Sequence, residues 1–123
     1  MLNVSLDHLT FSYNGQAQIL GDISIHAQSG SFVCLLGQSG CGKSTLLRLL
    51  AGLEKPDSGA VLVDGQPVKG ASLQRGVVFQ DYGLFPWMTA GQNITIALER
   101  RFPGMSKAER KERALYWMDH VGM

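Results

Sequence analysis

Alternating apolar and polar residues near the start of the chain predict β-strands. Residues 3–9 alternate in this way, and Asn14-Gly15 predicts the turn that follows. Two further short, mostly apolar segments, at 19–20 and 23–25, flank a predicted turn at Gly21-Asp22. The first part of the chain is therefore predicted to be antiparallel β-structure.

A run of five apolar residues, 32–36, predicts a strand buried on both faces, as in a parallel sheet. A glycine-rich segment follows, and leucines then recur at the spacing of one helix face. These leucines are Leu46, Leu49, Leu50 and Leu53. Gly52 predicts the end of this helix.

The middle of the chain predicts a hairpin and another buried strand. Residues 60–63 read as a strand, and Asp64-Gly65 predicts a tight turn into 66–68. Residues 76–79 form a second short apolar run, which ends at Gln80. We therefore expect another buried strand directly before that glutamine.

The last forty residues predict two helices with capping boxes. Thr89 with Gln92, and Ser106 with Glu109, have the spacing in which each side chain bonds the other residue's backbone N–H. Gly122 predicts the end of the second helix. The predicted apolar faces consist of Ala90, Ile94 and Ala97 in the first helix, and Ala114, Met118 and Val121 in the second.

Composition indicates a packed globular protein and not a highly charged binder. The 123 residues are 45% hydrophobic and 17% charged, with a net charge of +1. This balance argues against nucleic-acid binding driven by bulk charge. Six basic and three acidic residues fall in 100–123, which we interpret as the solvated face of a helix.

The sequence contains no recognisable pattern for membrane insertion, secretion or metal binding. No apolar run reaches the length of a membrane span, and the first residues do not resemble a signal peptide. Cys34 and Cys41 are predicted to be free thiols. His8, His26 and His120 lack ligand spacing, so no protein-built metal site is predicted.

Residues 37–45 carry the strongest chemical signal, since they match G-x-x-x-x-G-K-[ST] between a predicted strand and a predicted helix. Glycines let the backbone N–H groups approach phosphate oxygens, and the helix N-terminus adds a positive dipole. Lys43 would bind the β- and γ-phosphates, Ser44 would ligate Mg²⁺, and Thr45 would donate to the α-phosphate. The candidate nucleotide site comprises Gly37, Gln38, Ser39, Gly40, Cys41, Gly42, Lys43, Ser44 and Thr45.

The motifs together strongly resemble the nucleotide-binding domain of ABC transporters. They are residues 40–48, Ala51-Gly52-Leu53, Asp57-Ser58-Gly59, Val78-Phe79-Gln80 and residues 84–89. The last of these looks most like the ATPases of nitrate, sulfonate, taurine and pyrimidine-precursor importers. The resemblance covers residues 3–122, and only the first half of a typical domain.

The resemblance implies roles for residues outside the phosphate loop. Tyr13 would stack on adenine, with an ordinary half-buried strand aromatic as the alternative. Gln80 would be the Q-loop glutamine, which reaches Mg²⁺ and the attacking water. Residues 85–87 would form an exposed apolar knuckle for a partner helix, or else a small local core; both interpretations stay open here.

The expected fold class is α/β, a P-loop NTPase fold of ABC type. We expect a mixed sheet with an antiparallel portion and the start of a helical subdomain, in an incomplete domain. Residues 1–123 would be the N-terminal portion, with a nucleotide-binding core at about 1–80, and the Q-loop and helical subdomain from 81. The Leu-Ser-Gly-Gly-Gln signature, the strand ending in Asp-Glu and the switch histidine of the family pattern are not found in this sequence.

The function implied is MgATP binding as the energy-coupling ATPase subunit of a bacterial importer, cytoplasmic and peripheral on the inner face of the membrane. Its partners would be a permease subunit, contacted around residues 80–89, and a second nucleotide-binding subunit. The chain alone is expected to turn over little ATP and to associate through strand 32–36. The alternatives are a truncated, non-hydrolysing nucleotide-binding module and a small P-loop kinase that uses Asp64 for Mg²⁺, although Asp64-Gly65 favours the hairpin.

Overall fold

A computed structural model describes residues 3–15, 17–81 and 83–123. The chain divides into two compact units, Met1–Val77 and Val78–Met123. The elements are β1 (Val4–Ser12), β2 (Gln18–Ala27), α1 (Lys43–Ala51), β3 (Ser58–Val63), β4 (Gln66–Pro67), α2 (Ala90–Arg101) and α3 (Lys107–His120).

The first unit contains a four-stranded antiparallel sheet in the order β2-β1-β3-β4. This confirms the antiparallel portion predicted from the sequence. The β3–β4 hairpin turns at Asp64 and Gly65, whose φ angles are 49° and 75°. Positive φ at both central residues is typical of the tight turn that matches strand twist, which is why Asp-Gly predicts it.

The predicted turn at Gly21-Asp22 is wrong, because β2 runs continuously through these residues. The β1–β2 register instead shifts by one residue around 7–8 and back again around 21–22, so these two bulges compensate each other, and a third shift follows between Phe11 and Ser12. His8 and Asp22 have φ angles of 45° and 49°, and His8 Nδ1 lies 2.7 Å from Asp22 Oδ1. The glycine and aspartate therefore serve a bulge and not a chain reversal.

The core of the first unit lies between the sheet and α1. Its buried members are Leu6, Leu9, Phe11, Leu20, Leu46, Leu49 and Val61. The predicted helix is confirmed, and Gly52 ends it with a φ of 77° and an N–H directed to the carbonyls of Arg48 and Leu49. The two fully buried leucines, Leu9 and Leu49, join the central strand to the helix.

The two predicted buried strands, 32–36 and 76–79, do not form. Phe32, Leu36 and Val78 are 94%, 89% and 99% exposed. A strand buried on both faces needs hydrogen-bonded neighbours and a covering layer on each side. The described residues supply neither to these segments, so the sheet is antiparallel here and not mixed.

The second unit contains α2 and α3, and both predicted capping boxes are confirmed. Arg110 Nη1 lies 2.8 Å from Glu99 Oε2 and joins the two helices. Ala114 is buried as predicted, whereas Val121 is 71% exposed and the predicted face does not extend to it. No α2 residue is fully buried; Ala90 and Ile94 of the predicted face are half-buried and Ala97 is exposed, so that face is only partly covered.

Across the described ranges, no helix is both long enough and apolar enough to span a membrane.

Candidate nucleotide-binding site

The glycine-rich loop curls tightly before α1 begins. The backbone N–H of Cys41 donates to the carbonyl oxygen of Gln38 across 3.4 Å, which closes a turn. Gly40 and Gly42 have φ angles of 81° and 95°, in the left-handed region that glycine enters at no steric cost. Gly40 and Gly42 therefore lie at positions whose backbone conformation favours glycine.

Two of the glycines also lack room for a side chain. A Cβ atom on Gly42 would lie 2.7 Å from Leu20 Cδ2 and 3.3 Å from the carbonyl oxygen of Ile19. A Cβ atom on Gly37 would lie 2.6 Å from Cys41 Sγ. The loop is thus packed directly against the beginning of β2 at Gly42.

The N-terminus of α1 has no side-chain cap. Its N-cap residue is Gly42, and its first turn carries no acidic residue. The first N–H groups of a helix have no partners within the helix, and they carry the positive end of its dipole. Thr89 and Ser106 cap α2 and α3, whereas no side chain caps the start of α1, an arrangement that can accept an anion.

Lys43 places a positive charge inside the same loop. Its Nζ donates to the carbonyl oxygens of Gly37 at 2.8 Å and Gln38 at 2.5 Å, and it lies 3.5 Å from Cys41 Sγ. In the part of the chain that the structure describes, no carboxylate forms an ion pair with Lys43. The ammonium is held by neutral groups, so its charge is available to an anion.

The next two residues point to different environments. Ser44 is exposed, whereas Thr45 is 8% exposed and belongs to the buried side of the helix. An accessible hydroxyl beside uncapped N–H groups and an ammonium is a donor set that fits a magnesium-bound polyphosphate. The individual roles of Lys43, Ser44 and Thr45 remain predictions.

Tyr13 and Gln80 lie outside the loop. Tyr13 follows the end of β1 and is partly buried, with its ring edge-on to Phe11 at 4.8 Å between centroids. Gln80 is exposed in an irregular segment of the second unit. Their predicted contacts with adenine and Mg²⁺ therefore remain predictions.

Asp64, the alternative magnesium ligand, serves the hairpin. Its Oδ1 accepts the backbone N–H of Asn3 at 2.7 Å, and its backbone adopts the turn conformation. The carboxylate is thus used to join the hairpin to the residue before β1. This arrangement favours the hairpin interpretation over the kinase interpretation.

The knuckle, defined as Phe85-Pro86-Trp87, is exposed. Phe85 and Trp87 are 43% and 74% exposed, with ring centroids 5.5 Å apart. Of the two interpretations, this supports the exposed knuckle over the small local core. Asn93, which the sequence analysis did not single out, bonds to this segment through its side chain.

Both cysteines, Cys34 and Cys41, are exposed free thiols, as predicted. No cluster of three or more histidine, cysteine or acidic side chains that could hold a metal ion occurs among the described residues.

The comparisons with known proteins agree with this geometry. The profile of the ABC transporter family matches residues 20–123. The chain is 48% identical to the nitrate import ATP-binding protein NrtD of Synechocystis, over 96% of this chain and 44% of that protein. It is 47% identical to the taurine import ATP-binding protein TauB of Pseudomonas aeruginosa, over 94% of this chain and 43% of that protein.

Among solved structures, the chain is similar to the ATP-binding cassette MJ0796, described as a dimer in a post-hydrolysis state with ADP and Pi. The TM-score is 0.81 at 32% identity, over 94% of this chain and 56% of that chain. The chain thus spans less than half the length of the curated relatives, and its fold is that of part of an ABC ATPase cassette. The chain belongs to the ABC transporter family.

Proposed function

We propose that the chain binds MgATP as part of the energy-coupling ATPase subunit of a bacterial ABC importer, in which ATP hydrolysis drives solute uptake. The observation that carries this proposal is the loop 37–45, in which Lys43 and the uncapped start of α1 present positive charge to one place. The names of the nitrate and taurine import relatives support the import direction.

Within this proposal, each loop residue acts on one part of the nucleotide. The backbone N–H groups of 37–45 bind phosphate oxygens, and Lys43 binds the β- and γ-phosphates. Ser44 ligates Mg²⁺, which neutralises charge on the same phosphates. Tyr13 stacks on adenine in this proposal, next to the core on which it is partly buried.

Gln80 and the partner contacts complete the proposal. Gln80 reaches Mg²⁺ and the attacking water when nucleotide is bound. A permease subunit contacts the segment 80–89, and the exposed rings of Phe85 and Trp87 support an apolar partner surface there. A second cassette pairs with this one in the cytoplasm, at the inner face of the membrane.

We assign hydrolysis to the complete cassette and nucleotide binding to the residues described here. A neutral amide such as that of Gln80 can orient a water molecule but is a poor general base. Of the two carboxylates that could compete for this role, Asp64 is bonded to Asn3 in the hairpin, and Asp81 follows a segment that forms no strand. The chain alone is therefore proposed to bind MgATP with little turnover.

The test compares MgATP affinity in Lys43→Ala and Lys55→Ala variants by titration with a fluorescent ATP analogue. Removing a charge-assisted phosphate contact should weaken binding about 10- to 150-fold in Lys43→Ala. Lys55 is an exposed lysine beyond α1 and serves as the matched control, with affinity expected to be unchanged. Equal affinities in the two variants would contradict the proposal.

A further inference from the structure

The knuckle is held to the beginning of α2 by one side chain. The backbone N–H of Phe85 donates to Asn93 Oδ1 at 2.8 Å. Asn93 Nδ2 donates towards the carbonyl oxygens of Phe85 at 3.2 Å, Met88 at 3.2 Å and Thr89 at 3.0 Å. A single amide therefore bonds to both ends of the segment that carries the two exposed aromatic rings.

The knuckle has few other means of keeping its shape. It belongs to no helix or strand, and its two aromatic residues, Phe85 and Trp87, are 43% and 74% exposed. Among the described residues, the backbone adds one turn bond, from the N–H of Met88 to the carbonyl oxygen of Phe85 at 3.0 Å. Exposed loops with few buried contacts readily sample other conformations, so the Asn93 bonds determine which conformation dominates.

We propose that Asn93 is the positioning residue of the partner surface, and that it fixes the knuckle in its binding-ready shape before a partner arrives. The proposal rests on the function proposed above in one respect, namely that the knuckle is the surface a permease contacts. A surface that is ordered in advance loses less conformational freedom when it binds. Asparagine suits this role because its short side chain carries one acceptor and two donor hydrogens.

Two substitutions separate positioning of the knuckle from stability of the helix. Asn93→Ala removes all four contacts. Asn93→Asp keeps the acceptor for Phe85 but turns a carboxylate oxygen towards three carbonyl oxygens. Since residue 93 lies in the first turns of α2, a negative charge there is favourable for the helix dipole. Gln92→Ala is the matched control, because it removes a bond of the capping box and leaves Asn93 in place.

The experiment follows the full chain, labelled with 5-fluorotryptophan, by ¹⁹F NMR. The resonance of Trp87 is assigned by its loss in Trp87→Phe, and Trp117 on α3 reports on the rest of the unit. In Asn93→Ala and Asn93→Asp we expect the Trp87 resonance to move towards its position in urea, while the Trp117 resonance stays. In Asn93→Ala, which removes the acceptor, exchange of the Phe85 backbone amide should accelerate about tenfold, the loss of one hydrogen bond. Gln92→Ala should leave the Trp87 resonance in place.

An unmoved Trp87 resonance in both Asn93 variants would overturn the proposal. If both tryptophan resonances move together in Asn93→Asp, Asn93 stabilises the whole unit and the positioning role is also overturned. MgATP affinity is measured on the same samples and should stay within about twofold, since the phosphate loop lies in the other unit. A failure of nucleotide binding therefore remains distinguishable from a failure of knuckle positioning.

Discussion

A methyl group added at Gly42 tests how the phosphate loop is built. Gly42 has a φ of 95° and is packed against β2, and the new Cβ would lie 2.7 Å from Leu20 Cδ2 and 3.3 Å from the carbonyl oxygen of Ile19. Gly40 has a similar φ of 81°, but nothing lies within 4 Å of its added Cβ. The pair therefore shares the backbone strain and differs in the steric clash.

The expected magnitudes follow from these two terms. Placing a side chain in the left-handed region costs about 1–2 kcal/mol, which is the whole expected loss for Gly40→Ala. Overpacking against a core side chain and a backbone oxygen adds about 1–3 kcal/mol for Gly42→Ala. The free energy of unfolding should therefore fall by about 2–5 kcal/mol in Gly42→Ala.

The assay must report on the first unit alone, since both tryptophans, Trp87 and Trp117, lie in the second. Amide hydrogen exchange of β1, measured over a series of low urea concentrations, gives the opening free energy of the sheet directly. Gly15→Ala, also at positive φ with open space around it, is the control for strain outside the loop. Equal losses at Gly40 and Gly42 would show that the contact with Leu20 and Ile19 does not determine the loop's position.

Three further predictions concern the core and the dependence on pH. Leu49 is fully buried between α1 and the sheet, so Leu49→Ala should lower the free energy of unfolding by about 2–5 kcal/mol in urea titrations. The hydrogen bonds with Ser106 lower the pKa of Glu109 below 4.5. The contribution of Glu109 to the free energy of unfolding is therefore present at neutral pH and is lost as the pH falls through the lowered pKa. Glu109→Gln keeps the cap without this titration, and circular dichroism should show a flatter acid dependence. The hydrogen bond to the Asp22 carboxylate raises the pKa of His8 above 6.5. Its contribution to the free energy of unfolding therefore has the opposite pH dependence: it is fully present below pH 6.5 and is lost as the pH rises through the raised pKa. In Asp22→Asn, the pKa of His8 measured by NMR should return towards 6.5.

The features predicted correctly from the sequence are those specified by neighbouring residues. Asp64-Gly65 suits positive φ at both turn positions, and the turn forms there. Thr89 and Ser106 each stand three residues before a glutamine or glutamate, and both boxes form. These motifs need no information from distant parts of the chain, so a local pattern is sufficient to predict them.

The features predicted wrongly depend on distant residues. Gly21-Asp22 has turn composition, yet Asp22 is bonded to His8 on the neighbouring strand, and the pair accommodates a double bulge. Segment 32–36 has the composition of a buried strand, but composition does not supply the neighbours that such a strand requires. The role of Asn93 could not be predicted for a related reason. An asparagine in a helix gives no periodic signal, and its hydrogen-bond partners, Phe85, Met88 and Thr89, come before the helix.

The beginnings of the three helices show why the phosphate loop is better explained by function than by stability. Thr89 and Ser106 cap α2 and α3 with side-chain oxygens, a contribution of about 1 kcal/mol each. At α1 the corresponding residue is Gly42, which offers no side-chain oxygen and holds a left-handed conformation against β2. A chain selected for helix stability alone would cap this helix like the others. The exception coincides with Lys43, whose ammonium donates to backbone carbonyls and, within the described residues, pairs with no acid. Uncapped N–H groups and an ammonium without a carboxylate in the same loop are both satisfied by one anion with several oxygens, as a polyphosphate is.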